Sequence, residues 1–356
     1  QGLRMHFIAD ADFAHEVLVK QADKFQKDSD YTDTQRGLAR FLGTGLLTSN
    51  GEFWKRQRKL VAPALHARRI EAYAQTMTDY TLDRLNGWRD GVTLDIAREM
   101  NAVTMRIVAK TLFNTEVEAD INTVAHAMNA IQDKFMGNVL DLLPTWIPFP
   151  REVRARRANH DLDALVYRII QEWRAEGQDR GDLLSMLLLA ETEDGQRMSD
   201  KQARDEIVTL FLAGHETTAN TLNWTWLLLS QNPDVEARLH TELDSVLGGR
   251  VPTLADLKQL PYTEMVIKES LRLYPPAWGY SREALEEVRI GDVIIPKGGT
   301  AQIFTYGLHH NPKYWDNPEQ FQPERFSAEN ESRFPRYAYL PFGGGPRVCI
   351  GNSFAM

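Results

Sequence analysis

Apolar residues return every three to four positions over 11–25, 51–62, 70–88, 95–113, 120–140 and 152–175, the spacing of helices with one buried face. A longer helix is predicted from Asp200 to Gln231, with Ser199 as its N-cap, Gln202 closing a capping box and Asn232-Pro233 ending it. At 1.5 Å per residue it spans roughly 48 Å, the width of a whole domain. Two more helices follow, 233–247 stopped by Gly248-Gly249 and 262–274 stopped by Pro275-Pro276. The period then shortens. Val288-Arg-Ile290 and Val293-Ile-Ile295, either side of Gly291-Asp292, read as strands, as does 300–304. Three prolines in Leu143-Pro-Thr-Trp-Ile-Pro-Phe-Pro150 make that segment an irregular apolar cover. The pattern predicts a mainly α fold with small β-sheets in one domain over 1–356, helix-rich to 274 and strand- and loop-rich over 275–356.

With 43% hydrophobic and 25% charged residues the composition is that of a globular protein, which excludes disordered and fibrous classes. No apolar run is long enough to span a bilayer and no signal peptide is visible, so a soluble, cytoplasmic protein is expected; the start at Gln1 leaves an N-terminal anchor open. The single cysteine forbids an intrachain disulfide and a thiolate zinc cluster, in keeping with a reducing compartment. A net charge of −8 argues against a nucleic-acid partner. Charge is uneven, however. Lys55, Arg56, Arg58, Lys59, Arg68 and Arg69 fall between Phe53 and Ile70 with no acidic residue among them, either a solvated helix face or a dock for an acidic protein.

The cysteine sits in Phe342-Gly-Gly-Gly-Pro-Arg-Val-Cys-Ile-Gly351. Three glycines let this backbone take positive φ and approach a flat ligand closely. Arg347 sets a permanent cation two residues before Cys349, suited to a carboxylate on a cofactor. The stretch from Gly351 to Met356 reads as the opening of a helix, whose unpaired N–H groups favour an anionic sulfur. These neighbours favour iron ligation over a buried structural thiol.

A second interruption lies inside the long helix, at Leu212-Ala-Gly-His-Glu-Thr-Thr218. Gly214 and the polar residues oppose helix propensity. Ala213 and Thr217, four apart, leave a groove of small atoms on one face. The Thr217 hydroxyl can bond the Ala213 carbonyl and bend the helix, while Glu216 on the adjacent face can feed protons. Glu269 and Arg272, three apart, share a face of their helix, and Trp54 and Arg58 stand one turn apart on theirs. His309 and His310, in a turn before Asn311-Pro312, read as structural.

The cysteine loop and these motifs, in this order, resemble the cytochrome P450 family over 45–356, and the stretches 45–48 and 213–218 resemble its bacterial fatty-acid hydroxylases. The resemblance implies a haem-thiolate monooxygenase carrying haem b (iron protoporphyrin IX) with Cys349 as the axial iron ligand. It assigns Thr217 and Glu216 to proton delivery for O–O cleavage, and Trp54, Arg58, Arg282 and Arg347 to the haem propionates. Phe342 lies near the sulfur; Leu47, Ala213 and Ala277 line an apolar substrate pocket. Arg325 of Pro323-Glu-Arg-Phe326 joins Glu269 and Arg272 in a buried network that holds the cysteine loop, and 143–150 covers the substrate channel. Implied partners are O2, an apolar substrate (a fatty acid or a terpenoid-like molecule) and an electron donor, a ferredoxin or a flavin reductase, separate or fused. A monomer is expected, and the resemblance implies segments beyond both ends of the chain. A peroxide-driven haem-thiolate enzyme, a haem-binding sensor and a cysteine hydrolase stand as alternatives, the last separable by colour. If the basic run docks the donor, replacing Lys55, Arg56 and Lys59 by Ala slows first-electron transfer, most at low salt; stopped-flow reduction at several ionic strengths checks this.

Overall fold

Asp10 starts the first helix by accepting hydrogen bonds from the amides of Asp12 and Phe13. The computed structural model describes residues 5–65, 67–114, 118–135, 149–191, 195 and 197–356. Strand β1 (Met5–Ile8) precedes helix α1 (Ala11–His15). The helix predicted over 11–25 does not stay α. After His15 it widens into a π-helical turn, Glu16–Lys20, tightens to a 3₁₀ turn at Ala22–Lys24 and runs into strand β2 (Phe25–Gln26).

Short helices α2 (Ser29–Thr32) and α3 (Ala39–Leu42) lead to α4 (Gly51–Val61), α5 (Ala67–Leu85), α6 (Ile96–Phe113) and α7 (Glu118–Phe135). Residues 136–148, with the end of the predicted 120–140 helix and most of the proline-rich cover, lie outside the described residues. Helix α8 (Pro150–Glu176) has proline in its first turn and ends on Gly177 in the left-handed region. Helix α9 (Leu183–Leu189) follows, absent from the sequence expectation because it is nearly all leucine and buried on most sides, with no polar face to give a period. Helices α10 (Asp200–Gln231) and α11 (Pro233–Leu247) have the expected bounds, and α12 (Pro261–Leu273) starts one residue early, at its proline. The capping box of α10 is only half made. Ser199 Oγ accepts from the Gln202 amide, but the Gln202 side chain donates to the Thr44 carbonyl and the Glu206 carboxylate instead of turning back.

Backbone contacts divide the chain into two compact units. One comprises residues 1–28, 77–101 and 217–356. It holds β3 (Tyr280–Ala284), β4 (Val288–Ile290), β5 (Val293–Ile295) and β6 (Thr300–Ile303), then α13 (Thr305–His309) and α14 (Asn352–Ala355). Its four-stranded sheet has the order β1-β6-β3-β2, with β1 parallel to β6 and the other pairs antiparallel. The pair β4–β5 is the expected hairpin, turned at Gly291, whose φ of +56° and whose approach to the Phe13 ring both exclude a side chain. The core of this unit gathers Ile8, Val17, Ile303, Leu308, Trp315 and Phe326.

The other unit comprises residues 29–76 and 102–216, with α7 packed along α8. Val108, Met128, Ile131, Leu162, Ile170 and Leu183, Leu184, Leu187 and Leu188 of α9 are buried in it. Helix α10 belongs to both, changing unit between Glu216 and Thr217. Among the described residues no helix is long and apolar enough to cross a membrane. Because Leu184 is wholly buried in α9, Leu184→Ala is expected to cost about 2–5 kcal/mol, read as a lower urea midpoint.

Candidate active site

Strand β3, the loop after β2 and the cysteine loop belong to the same unit. The cysteine loop is built by close backbone approach. Gly343 and Gly345 have φ of +71° and +67°, and a Cβ on Gly345 would lie 1.8 Å from the Leu18 carbonyl oxygen. That carbonyl belongs to the π-helical turn, so the irregular helix is what the loop rests on. A Cβ on Gly344 would meet the Tyr337 ring at 2.9 Å. The loop closes where the Cys349 amide donates to the Phe342 carbonyl at 2.8 Å, and the thiol side chain is exposed. Helix α14 begins three residues later.

Arg282, on β3, is buried, with its Nη1 donating to the Ser281 carbonyl at 2.7 Å and its guanidinium 5.2 Å from the Tyr280 ring. Antiparallel pairing of Gln26 with Glu283 brings Lys27, just past β2, beside Arg282. Lys27 is buried too, and its ammonium is held well below the ordinary lysine range, first by burial, then by the charges of Arg282 and Arg347, with only Asp28 opposing. Three cations, two buried and Arg347 half-buried, thus act on one another in this unit. Two of them, Arg282 and Arg347, are motif residues; Lys27 was not a candidate, because nothing local in Phe25-Gln-Lys-Asp28 marks it.

Glu269 and Arg272, both wholly buried on α12, form a bidentate pair at 2.7 and 2.8 Å. Arg325 Nε donates to the same carboxylate at 3.3 Å, so Glu269, Arg272 and Arg325 meet, and the Gln322 amide also donates to Glu269, at 3.0 Å. Arg272 also donates to the carbonyls of His309, Pro318 and Gln320. His309 answers with a second link: its Nδ1 lies 3.1 Å from the Arg272 carbonyl and its Nε2 accepts from the Leu340 amide at 2.8 Å. A backbone N–H at Nε2 fixes the proton on Nδ1, and burial pushes the ring's pKa down to about 3. His309 therefore ties α12 to the segment that leads into Phe342.

In α10, Ala213 and Thr217 are exposed, four residues apart, Glu216 is half-buried and His215 is buried. Burial holds the His215 ring near a pKa of about 4. Hydroxyl-to-carbonyl bonds continue along the helix from Thr217, with Thr221 Oγ1 on the Thr217 carbonyl and Thr225 Oγ1 on that of Thr221. A Cβ on Gly214 would make only ordinary contact with Val108, so packing on α6 does not demand glycine there. Ala277 is exposed in the first unit. Leu47, half-buried, Trp54, buried, and Arg58, whose guanidinium lies 5.8 Å from the Trp54 ring, belong to the second. On α4, Lys55 pairs with Glu52, just outside the acid-free run; the side chains of Arg68 and Arg69 lie outside the described ones.

A profile of the cytochrome P450 family matches residues 1–356. The chain is 41% identical, over 88% of its length and 70% of the relative's, to a cyclooctat-9-en-7-ol 5-monooxygenase of Streptomyces melanosporofaciens. The chain belongs to the cytochrome P450 family. Other relatives of this P450 include a pentalenene oxygenase of Streptomyces avermitilis, 35% identical over 93% of the chain and 74% of the relative. Among solved structures, a retinoic acid-bound cyanobacterial CYP120A1 superposes with a TM-score of 0.87 at 27% identity, covering 99% of this chain and 79% of that one.

This P450 is an oxidoreductase, a haem-thiolate monooxygenase for apolar substrates, and its family implies haem, O2 and electrons from a redox partner. The residues present fit such a cofactor: buried Lys27 and Arg282 with half-buried Arg347 suit carboxylates, and a loop that admits no side chain at Gly345 holds out an exposed thiol. Removing Arg272 leaves Glu269 buried against Arg325 alone, so Arg272→Ala is expected to lose about 3–5 kcal/mol. Haem absorbance per chain and soluble yield check this, and a soluble, fully haem-loaded variant contradicts it.

Proposed function

We propose that this P450 hydroxylates a cyclic, unsaturated terpenoid-like hydrocarbon or alcohol, using haem b held by Cys349. The observation that carries the substrate class is the relatives' identity, since those named for cyclooctat-9-en-7-ol and for pentalenene stand at 41% and 35%. A fatty acid is the second reading, favoured by the sequence stretches 45–48 and 213–218 and by a cytochrome P450 4A6 of Oryctolagus cuniculus, 33% identical over the whole chain and 73% of the relative.

Haem b, when bound, supplies an iron that takes O2 and splits its O–O bond with two electrons from a partner. Cys349 ligates the iron through its thiolate, with Phe342 beside the sulfur limiting solvent. Arg282, Arg347 and Lys27 would supply positive charge to the propionates, and Trp54 and Arg58 are the further propionate residues that the family's pattern assigns, Trp54 as a neutral N–H donor. Thr217 Oγ1 holds a proton donor in the groove beside Ala213, and the Glu216 carboxyl resupplies it. Leu47, Ala213 and Ala277 give the substrate an apolar wall, and Glu269, Arg272 and Arg325 keep the cysteine loop in register. The protein works as a cytoplasmic monomer, with a ferredoxin or flavin reductase docking on the α4 basic face. Both ends of this reading are tested with the neutral cyclic terpenoid β-ionone. Expected are a Soret band near the long-wavelength position of a thiolate-ligated carbonyl complex after dithionite and CO, its loss in Cys349→Ser, and β-ionone-dependent NADPH use with a hydroxylated product. Turnover of dodecanoic acid but not of β-ionone selects the second reading.

A further inference from the structure

The loop Gly43-Thr-Gly-Leu-Leu-Thr48, which carries Leu47, is docked onto the first turns of α10 by two adjacent carboxylates. The Thr44 amide donates to Asp205 Oδ2 and the Leu46 amide to Glu206 Oε2, each at 2.9 Å. Gln202 Nε2 bridges the Thr44 carbonyl and Glu206 Oε1 at 3.0 and 3.1 Å. Contact is tight enough to require glycine twice: a Cβ on Gly43 would fall 2.0 Å from Asp205 Oδ1, and one on Gly45 2.5 Å from Thr209 Oγ1. The loop is also braced internally, because Thr48 Oγ1 donates to the Gly43 carbonyl, accepts from the Gly45 amide, and Ser49 Oγ donates to the Gly45 carbonyl. These bonds brace the loop as one piece.

The two carboxylates are not equivalent. Asp205 is neutralised by Lys201 at 2.8 Å and Arg204 at 3.1 Å, and Arg204 is shared with Asp163 of α8 and the Phe41 carbonyl. Glu206 is wholly buried, its hydrogen-bond partners are the Leu46 amide and Gln202, and the nearest acting charge is the like charge of Asp205. We propose that Glu206 is a specificity-determining positioning residue, a proton-controlled latch that sets how firmly the 43–48 loop, and with it Leu47, is held for the substrate. This rests on the placement of Leu47 in the substrate pocket.

The direction follows from linkage. Burial raises the Glu206 carboxyl to about 7, against an ordinary value of 4.5 when undocking lets water reach it. The docked loop then binds the proton more tightly than the undocked one, so docking is strongest at acid pH and weakens as pH rises through 7. Between pH 6 and 8.5 these two values loosen the loop about tenfold.

The test is hydrogen exchange on the haem-loaded enzyme from pH 6 to 8.5, corrected for intrinsic exchange, beside spectral titration with β-ionone. Expected are an approximately tenfold fall in protection at the Leu46 amide from pH 6 that levels off above pH 7 to 7.5, weaker β-ionone binding over the same range, and both flat in Glu206→Gln, which mimics the protonated acid. The wild-type titration needs no variant to fold, and a Leu46 amide whose protection does not fall and level off in this way overturns the proposal. So does a fall that Glu206→Gln retains, or one that β-ionone affinity does not follow. Leu47→Phe at pH 6 separates the last outcome from a misplaced Leu47: unchanged β-ionone affinity in that variant faults the pocket, and changed affinity faults the latch.

Discussion

A guanidinium can be taken wholly out of water only if all five of its N–H groups find acceptors, and Arg272 meets that demand completely. Glu269 takes two, and the carbonyls of His309, Pro318 and Gln320 take the rest. Three of these acceptors are backbone carbonyls, one at the end of α13 and two from irregular chain. The pair on α12 thus does for these three carbonyls what strand pairing does for a sheet, supplying each with a partner. His309 passes the constraint on to Leu340, and from there the chain is two residues from the carbonyl that receives the Cys349 amide.

Electrostatics divides the molecule in the same way. Where charge serves the fold, it is paired: Arg84 and Trp88 close on Glu99, Arg204 on Asp163, Arg250 on Asp256. Lys27 is buried with Arg282 and Arg347 near it, and burial first, then those two charges, hold its proton affinity well below the ordinary lysine range. An arrangement that disfavours its own charge state is costly for the fold alone and useful to an anionic guest, whose binding returns the lost proton affinity.

What could be read from the sequence was what is local. The bounds of α10 and α11 are written in Asn232-Pro233 and Gly248-Gly249, the hairpin in Gly291-Asp292, and the Glu269–Arg272 pair in a spacing of three. Strands β1, β2 and β3 escaped because their periods are too short to register and their partners are distant, as when Met5 pairs with Thr300. Lys27 and Glu206 escaped for a related reason, whereas His309, read as structural, was found without its partners. Each is made significant by a neighbour far along the chain, 160 residues away for Glu206 and Leu46. Gln202 shows the cost of a purely local rule: the capping box was available to it, and a distant carbonyl outbid the near one.

The seat of the cysteine loop on the π-helical turn is a contact of backbone with backbone, Gly345 against the Leu18 carbonyl. Such a contact does not depend on what side chains Glu16, Val19 or Lys20 carry, but it depends on how many residues the turn contains. Descendants of this chain can therefore drift freely in composition at those three positions, whereas losing a single codon there would retract the carbonyl by restoring an ordinary helical pitch. Tolerance of substitution combined with intolerance of deletion is the evolutionary signature this piece of geometry should leave.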